Sequence, residues 1–275
     1  MESLSLFIQH LSNRLRTAGS VANYLSGVKT MHVINDLDIS VFDDFLIKMM
    51  VRGVKMQKGL STKKAAPITV EILKDLFGTM HNGNTNDLTY WGLFVIAFFL
   101  LARKSNLVPD SVASFDPKKQ LSRGDMVVTD EALVVTLKWS KTNQLGREET
   151  FPLLRNDGHP LCPVAAYRNM VRARPADATA PAFLIKTRGV VGTVTYRQYQ
   201  DRIKKAISSL DLDPSLYSSH SFRRGGATYA FQCGVPAELI KRIGDWKSDA
   251  YLEYIDCPVS DRVKAGKLIR DHINK

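Results

Sequence analysis

The sequence predicts a mainly α-helical protein with a small antiparallel β-sheet, divided into two domains. Three observations carry this. Apolar residues recur at helical spacing through most of the chain, one stretch alone turns to alternation and β-branched residues, and a small, polar, basic segment at 59–67 interrupts the pattern. At 275 residues there is ample material for one large or two modest cores. The 38 Lys and Arg against 27 Asp and Glu, formally +11, favour a polyanionic partner, nucleic acid first. Cys162, Cys233 and Cys257 are scattered and form no CxxC pair, which fits a reducing compartment without structural zinc. The start of the chain has no basic, then apolar, leader pattern, and the most apolar run, 91–102, is too short to span a bilayer. Neither a signal peptide nor a membrane partner is expected.

Residues 1–62 read as a helical N-terminal domain. Leu4, Phe7, Ile8 and Leu11 make one stripe, and Val21, Tyr24, Leu25, Val28 and Met31 a second. Phe42, Phe45, Leu46 and Met49 make a third, with Ser40 as its expected cap. Arg14, Arg16, Lys29, Arg52, Lys55 and Lys58 lie between the apolar positions and are either solvated or facing a polyanion. Residues 63–68 read as the linker, where Lys63 and Lys64 are candidates to meet a duplex backbone. Thr69 before VEILKDLF is a capped helix start that opens the second domain, 69–275.

Within that domain, 86–107 reads as a long apolar helix ending near Arg103 and Lys104. Strand character appears over 125–154 in three segments, with Lys138 near the end of the second and Lys141 on the tip between the last two. An amphipathic helix is expected at 162–174, a short buried strand at 183–186 and another helix at 196–210. Arg197, Arg202, Lys204 and Lys205 on that last helix are candidates for nucleic-acid backbone contacts. A final helix is expected after Tyr254.

The richest stretch is 217–256. His220 and Arg223 stand three apart at an expected helix N-terminus, a placement that puts imidazole and guanidinium on one face and suits a phosphate. Gly225 and Gly226 permit close backbone approach just after Arg223, and Gly234 before Val235-Pro236 reads as a helix stop and a new start. Gly244-Asp245-Trp246 and two tyrosines, Tyr251 and Tyr254, complete the set.

His-x-x-Arg, then Gly-x-Trp, then a tyrosine resembles the C-terminal signature of the tyrosine recombinases. The wording here, HSFRRGGATYAF and GDWKSDAYLEYI, is most similar to the recombinases of eukaryotic mobile elements, the DIRS-like, Ngaro and Crypton groups. The resemblance implies a helical core-binding domain, here short by a helix, followed by an α+β catalytic domain. It implies Arg103 and Arg223 as the catalytic arginines, and Lys141, with Lys138 as the weaker alternative, as the hairpin lysine that protonates the leaving 5′ oxygen. His220 and Trp246 complete the pocket, and Tyr254 is the nucleophile, with Tyr251 as the alternative. Two departures stand out. Asn106 occupies a place usually acidic, three after the first arginine. Trp246 precedes Tyr254 by eight positions instead of nine, and counting nine back gives Asp245. The implied activity is site-specific recombination or integration of duplex DNA through a 3′-phosphotyrosyl link and a Holliday junction, by a homotetramer, in the nucleus of a eukaryotic host. A domesticated, inactive DNA-binding protein and a type IB topoisomerase are the rival readings.

The residue types suit that chemistry. Equatorial oxygens of an attacked phosphodiester gather negative charge, and planar guanidinium forks match them better than lysines do. Imidazole and indole N–H groups are further donors. A tyrosine hydroxyl, with a pKa near 10, needs a positive pocket or a base such as His220 to attack. No HExxH, carboxylate cluster or Walker loop occurs, so neither metal nor nucleotide cofactor is expected. The phosphotyrosyl bond stores the energy for rejoining.

Overall fold

The computed structural model describes residues 2–59, 64–81, 83–139 and 148–255, together with 263, 266, 267 and 270–272. The chain divides into two compact units, Met1–Lys64 and Ala65–Lys275.

The first unit holds α1 (Glu2–Arg14), α2 (Ala18–Ile34) and α3 (Phe45–Lys58). Leu4, Ile8 and Leu11 from α1, Val21 and Leu25 from α2, and Ile47 and Val54 from α3 form its core. The first two stripes thus supply core residues as the periodicity predicts, although Tyr24 and Met31 are exposed. The third stripe does not. Phe45, Leu46 and Met49 face solvent, because Phe42 belongs to a separate 3₁₀ turn, Ser40–Asp43, and the series read through it spans two elements. Ser40 therefore does not cap the helix. Asp44 does, its carboxylate accepting from Leu46 N at 2.8 Å and Ile47 N at 3.3 Å.

The second unit contains α4 (Val70–Met80), α5 (Thr85–Phe99), a single turn α6 (Lys104–Leu107), β1 (Met126–Val128), β2 (Ala132–Leu137) and β3 (Glu149–Leu154). After these come α7 (Pro163–Ala173), β4 (Leu184–Thr187), β5 (Val190–Thr193), α8 (Tyr196–Ser208), α9 (Ser219–Gln232) and α10 (Ala237–Ile243). Helix α5 is its axis. Every residue from Thr89 to Phe98 is buried, so the helix has no outward face over that run. Helices α4, α7 and α9 and strand β4 surround it. Within the run, the Thr89 hydroxyl donates to Leu184 O at 2.8 Å and ties the β4–β5 hairpin to the core. Strands β1, β2 and β3 form an antiparallel meander in which Val135 pairs with Met126 on one side and Phe151 on the other. Strand β5 is not legible in the sequence, since Val190 and Val191 are exposed and lack a buried alternation. Among the described residues no helix is long and apolar enough to cross a membrane.

Two local features position the arginines of the second unit. The apolar run at 86–107 is not one helix. It stops at Phe99, Leu101 takes a left-handed conformation (φ 48°), and Arg103 stands as the N-cap of α6. Arg103 thereby leaves the helical cylinder. Helix α9, for its part, is pressed against the neighbouring backbone. A Cβ on Gly225 would lie 1.8 Å from Ile68 O, and one on Gly226 2.2 Å from Phe98 O, so only glycine fits at either place. Ala66 N and Ile68 N donate to Leu216 O (2.7 Å) and Ser221 O (2.9 Å), binding residues 66–68 into this unit. Ser218 caps α9 in a capping box with Ser221. The helix stops at Gly234 (φ 79°), with Val235 N donating to Ala230 O at 3.0 Å. The final helix expected after Tyr254 falls mostly outside the described residues.

Candidate active site

Arg223 projects inward from α9 and is 2% exposed. Its Nη1 donates to the Leu101 carbonyl and its Nη2 to Gly244 O at 2.6 Å. The guanidinium lies over Trp246, its carbon 3.7 Å from the ring centre, and 5.4 Å from the centre of the Tyr254 ring. Burial, then the like charge of Arg103, lowers its proton affinity, and Tyr254 and Asp245 work the other way. An arginine remains cationic under such shifts.

Arg103 makes two bonds to a single residue: Nη1 to Asp245 Oδ2 and Nη2 to Asp245 O, both at 2.6 Å. Leu101 and Asp245, which give carbonyls to the two arginines, are both non-glycine residues with left-handed backbone (φ 48° and 52°). Such conformations cost about 1–3 kcal/mol each and persist where surrounding contacts fix them. Here the guanidinium bonds do so.

Trp246 folds back on its own segment. A Cβ on Gly244 would lie 1.7 Å from the indole, which explains the glycine two residues before the tryptophan. The ring buries its face under Arg223, where the sequence suggested an N–H donor; the observed contact is a cation–π stack. The two tyrosines separate cleanly. Tyr251 is buried in a cluster with Leu101, Ala227, Ile240 and Trp246. Tyr254 is half-buried at the end of a 3₁₀ turn, its ring 5.2 Å from Trp246.

His220 and Arg223 leave α9 three residues apart yet differ in depth, the histidine exposed and the arginine buried. Partial burial of the ring, then Arg223, Lys104 and Arg103, hold the imidazole below its usual value of 6.5. At neutral pH the ring is uncharged and can accept a proton. Lys104 sits 3.8 Å above the Tyr196 ring and 2.7 Å from Asp110 Oδ1.

Asn106 is buried and meets Arg103 through the backbone, its N donating to Arg103 O at 3.0 Å. Its Nδ2 donates to Trp139 O at 2.6 Å and secures the end of the segment after β2. The acid that holds Arg103 comes instead from Asp245, a role the sequence reading did not assign. The signal was its place nine before Tyr254.

Lys141 and Lys63 lie outside the described residues. Lys138 is held by Asp125 at 2.7 Å. Lys64 is exposed in the first unit. On α8, Arg197, Lys204 and Lys205 are exposed, but Arg202 is not available for a backbone contact: it pairs with Asp87 Oδ1 at 2.7 Å and lies over Tyr90.

No protein-family model matches the chain. An integrase/recombinase XerD homolog of Selenomonas ruminantium is 25% identical over 211 residues, 75% of this chain and 58% of that protein. This chain thus spans under two-thirds of the relative's length. Among solved structures, the Tn1549 transposon integrase (residues 82–397) in complex with circular intermediate DNA superimposes with TM-score 0.62 at 13% identity, covering 97% of this chain and 84% of that one. The XerH recombinase bound to difH in a pre-cleavage complex gives 0.52 at 13% identity (92% and 72%), and the XerA recombinase 0.50 at 12% (97% and 89%). The fold is that of the tyrosine recombinases. The chain is similar in sequence to that integrase/recombinase homolog and in fold to these structures. Mostly helical, with small antiparallel sheets, the described residues agree with that fold throughout.

Proposed function

We propose that this chain is a site-specific DNA recombinase or integrase that uses Tyr254 as nucleophile. The observation that carries the reading is the convergence of Arg103, Arg223, Trp246 and Tyr254, with the Arg223 guanidinium 3.7 Å from the Trp246 ring centre and 5.4 Å from that of Tyr254. Arg223 lies beside the tyrosine that attacks, and Arg103 remains to meet the non-bridging oxygens. Neutral His220 takes the tyrosine proton. The Tyr254 oxygen attacks phosphorus, the 5′ oxygen leaves and takes a proton from Lys141, and a 3′-phosphotyrosyl link remains. Attack by a 5′ hydroxyl from another strand reverses these steps and rejoins DNA, through a Holliday junction, with no ATP.

The first unit, with its exposed Arg14, Arg16, Arg52 and Lys55, is the core-binding domain, and the second is the catalytic domain. Duplex recombination sites are the substrate, a homotetramer the working assembly, and a eukaryotic mobile element the source, acting in the nucleus. The last point rests on the wording of 220–231 and 244–255 alone.

The test is covalent trapping. The protein is incubated with nicked suicide duplexes from a randomised pool, denatured and assayed for protein–DNA adducts. An adduct in the wild type and in Tyr251→Phe, absent in Tyr254→Phe, is the expected result. Binding without any adduct would favour the inactive DNA-binding protein, whose support is Asn106 and the shortened Trp–Tyr spacing. Relaxation of supercoiled plasmid without site preference would favour a topoisomerase.

A further inference from the structure

We propose that Asp245 is the residue that positions Arg103, and that Gly244-Asp245 acts as a spacer fixing the distance between the two guanidiniums. This rests on the reading that the site takes a phosphodiester.

The two residues divide the work. Gly244 O receives Arg223, and Asp245 receives Arg103 through both its carboxylate and its main-chain carbonyl. Two adjacent residues thus hold one arginine each. A planar fork bonded at both terminal nitrogens cannot swing about its long axis, so its orientation is set before substrate arrives. The left-handed backbone at Asp245 lets one residue present both oxygens, and aspartate tolerates that conformation better than most residues. Asp245 N and Trp246 N donate to Arg242 O and Lys241 O, anchoring the spacer to the end of α10. The Arg103 and Asp245 side chains are 19% and 23% exposed, so the pair is far less screened than a surface bridge.

Charge and donor count both favour positioning over blockade. Two guanidiniums held close repel, and Asp245 is the nearby anion that offsets this, acting on Arg223 as well as on Arg103. A guanidinium has five N–H donors. Arg103 gives two to Asp245, one from each terminal nitrogen, which leaves Nε–H and an N–H on each end for phosphate oxygens. Asn106 carries no charge to take the place of that carboxylate, and its Nδ2 donates to Trp139 O.

The experiment compares Asp245→Asn, which keeps shape and loses charge, with Arg103→Lys and the double variant. Asp245→Glu serves where the Asn variant does not fold. Urea unfolding of Asp245→Asn, Arg103→Met and their combination reports the pair without reference to catalysis. Adduct formation at saturating protein then reports the chemistry. The expected result is non-additive unfolding, together with an adduct rate lowered about 10²-fold in Asp245→Asn at unchanged duplex affinity. No further loss should occur when the substitution is added to Arg103→Lys. Strictly additive unfolding, or rate losses that multiply in the double variant, would overturn the proposal. Non-additive unfolding in the variant series, with no adduct formed even by the wild type, would sink the recombinase reading while supporting the hold of Asp245 on Arg103.

Discussion

Trp246 carries the Arg223 guanidinium on its ring face at 3.7 Å, and a phenyl ring can supply much of that attraction. Trp246→Phe is therefore expected to keep adduct formation within about tenfold of wild type, a loss near 1.4 kcal/mol. Trp246→Ala, which empties a mostly buried site, should cost about 3–5 kcal/mol of stability, read from urea midpoints. A fall of about 10²–10³ in the Phe variant would instead mean that the indole N–H serves as a transition-state donor. His220 gives a pH-dependent prediction at the same scale. Its folded pKa lies below the unfolded value of about 6.5, so the fold binds this proton less readily than the unfolded chain does. The stability tied to it is complete above that value and is lost as pH falls through the folded pKa. NMR titration of the imidazole should find a midpoint below 6.5, and His220→Gln should flatten the slope of stability against pH in that range. A midpoint at or above 6.5 in the DNA-free protein would contradict the partial burial of the ring and the crowding by Arg223, Lys104 and Arg103.

Helix α9 is set by glycine at two successive positions, and the site inherits its geometry from that contact. Gly226→Ala would bring a Cβ to 2.2 Å from Phe98 O and 2.5 Å from Leu101 Cδ2, at the turn that leads to Arg103. The backbone must shift, and a destabilisation of about 1–3 kcal/mol is expected. Adduct formation should fall by more than that loss of folded population explains; an unchanged rate would mean the α5–α9 approach does not position the arginines. Elements of this kind were legible where local chemistry decides them. Thr69, Gly234 and the alternation over 126–154 marked their caps, stop and strands because capping, left-handed backbone and half-burial are read from a few adjacent residues. The break after Phe99 was not, because Leu100 and Leu101 continue an apolar run, and the partner of the Leu101 carbonyl, Arg223, lies far away in sequence. The same holds at the site. Arg223, Trp246 and Tyr254 announce themselves by type and order, whereas Asp245 takes its role only through a partner 142 positions away.

At the scale of the whole chain, each unit has its own hydrophobic cluster. Leu4, Ile8, Leu11, Val21, Leu25, Ile47 and Val54 lie within the first, and the two clusters built around α5 and around Trp246 lie within the second. A piece comprising 65–275 is accordingly expected to unfold cooperatively by itself, checked by coincident circular dichroism and fluorescence transitions in urea. That independence makes a division of DNA contacts measurable. The first unit carries nine Lys and Arg against five Asp and Glu, with Arg14, Arg16, Arg52 and Lys55 exposed. If it grips phosphates, removing it removes counterion release. The logarithm of duplex affinity falls with the logarithm of salt by about 0.9 for each phosphate neutralised. The whole chain should therefore show a steeper salt slope than the 65–275 piece, the difference counting the phosphates held by the first unit. Substituting Arg52 and Lys55 by Ala in the full chain should recover part of that difference, lowering affinity for all duplex sequences alike. Equal slopes would assign the entire grip to the second unit, where the exposed Arg197, Lys204 and Lys205 on α8 would be the first cations to substitute.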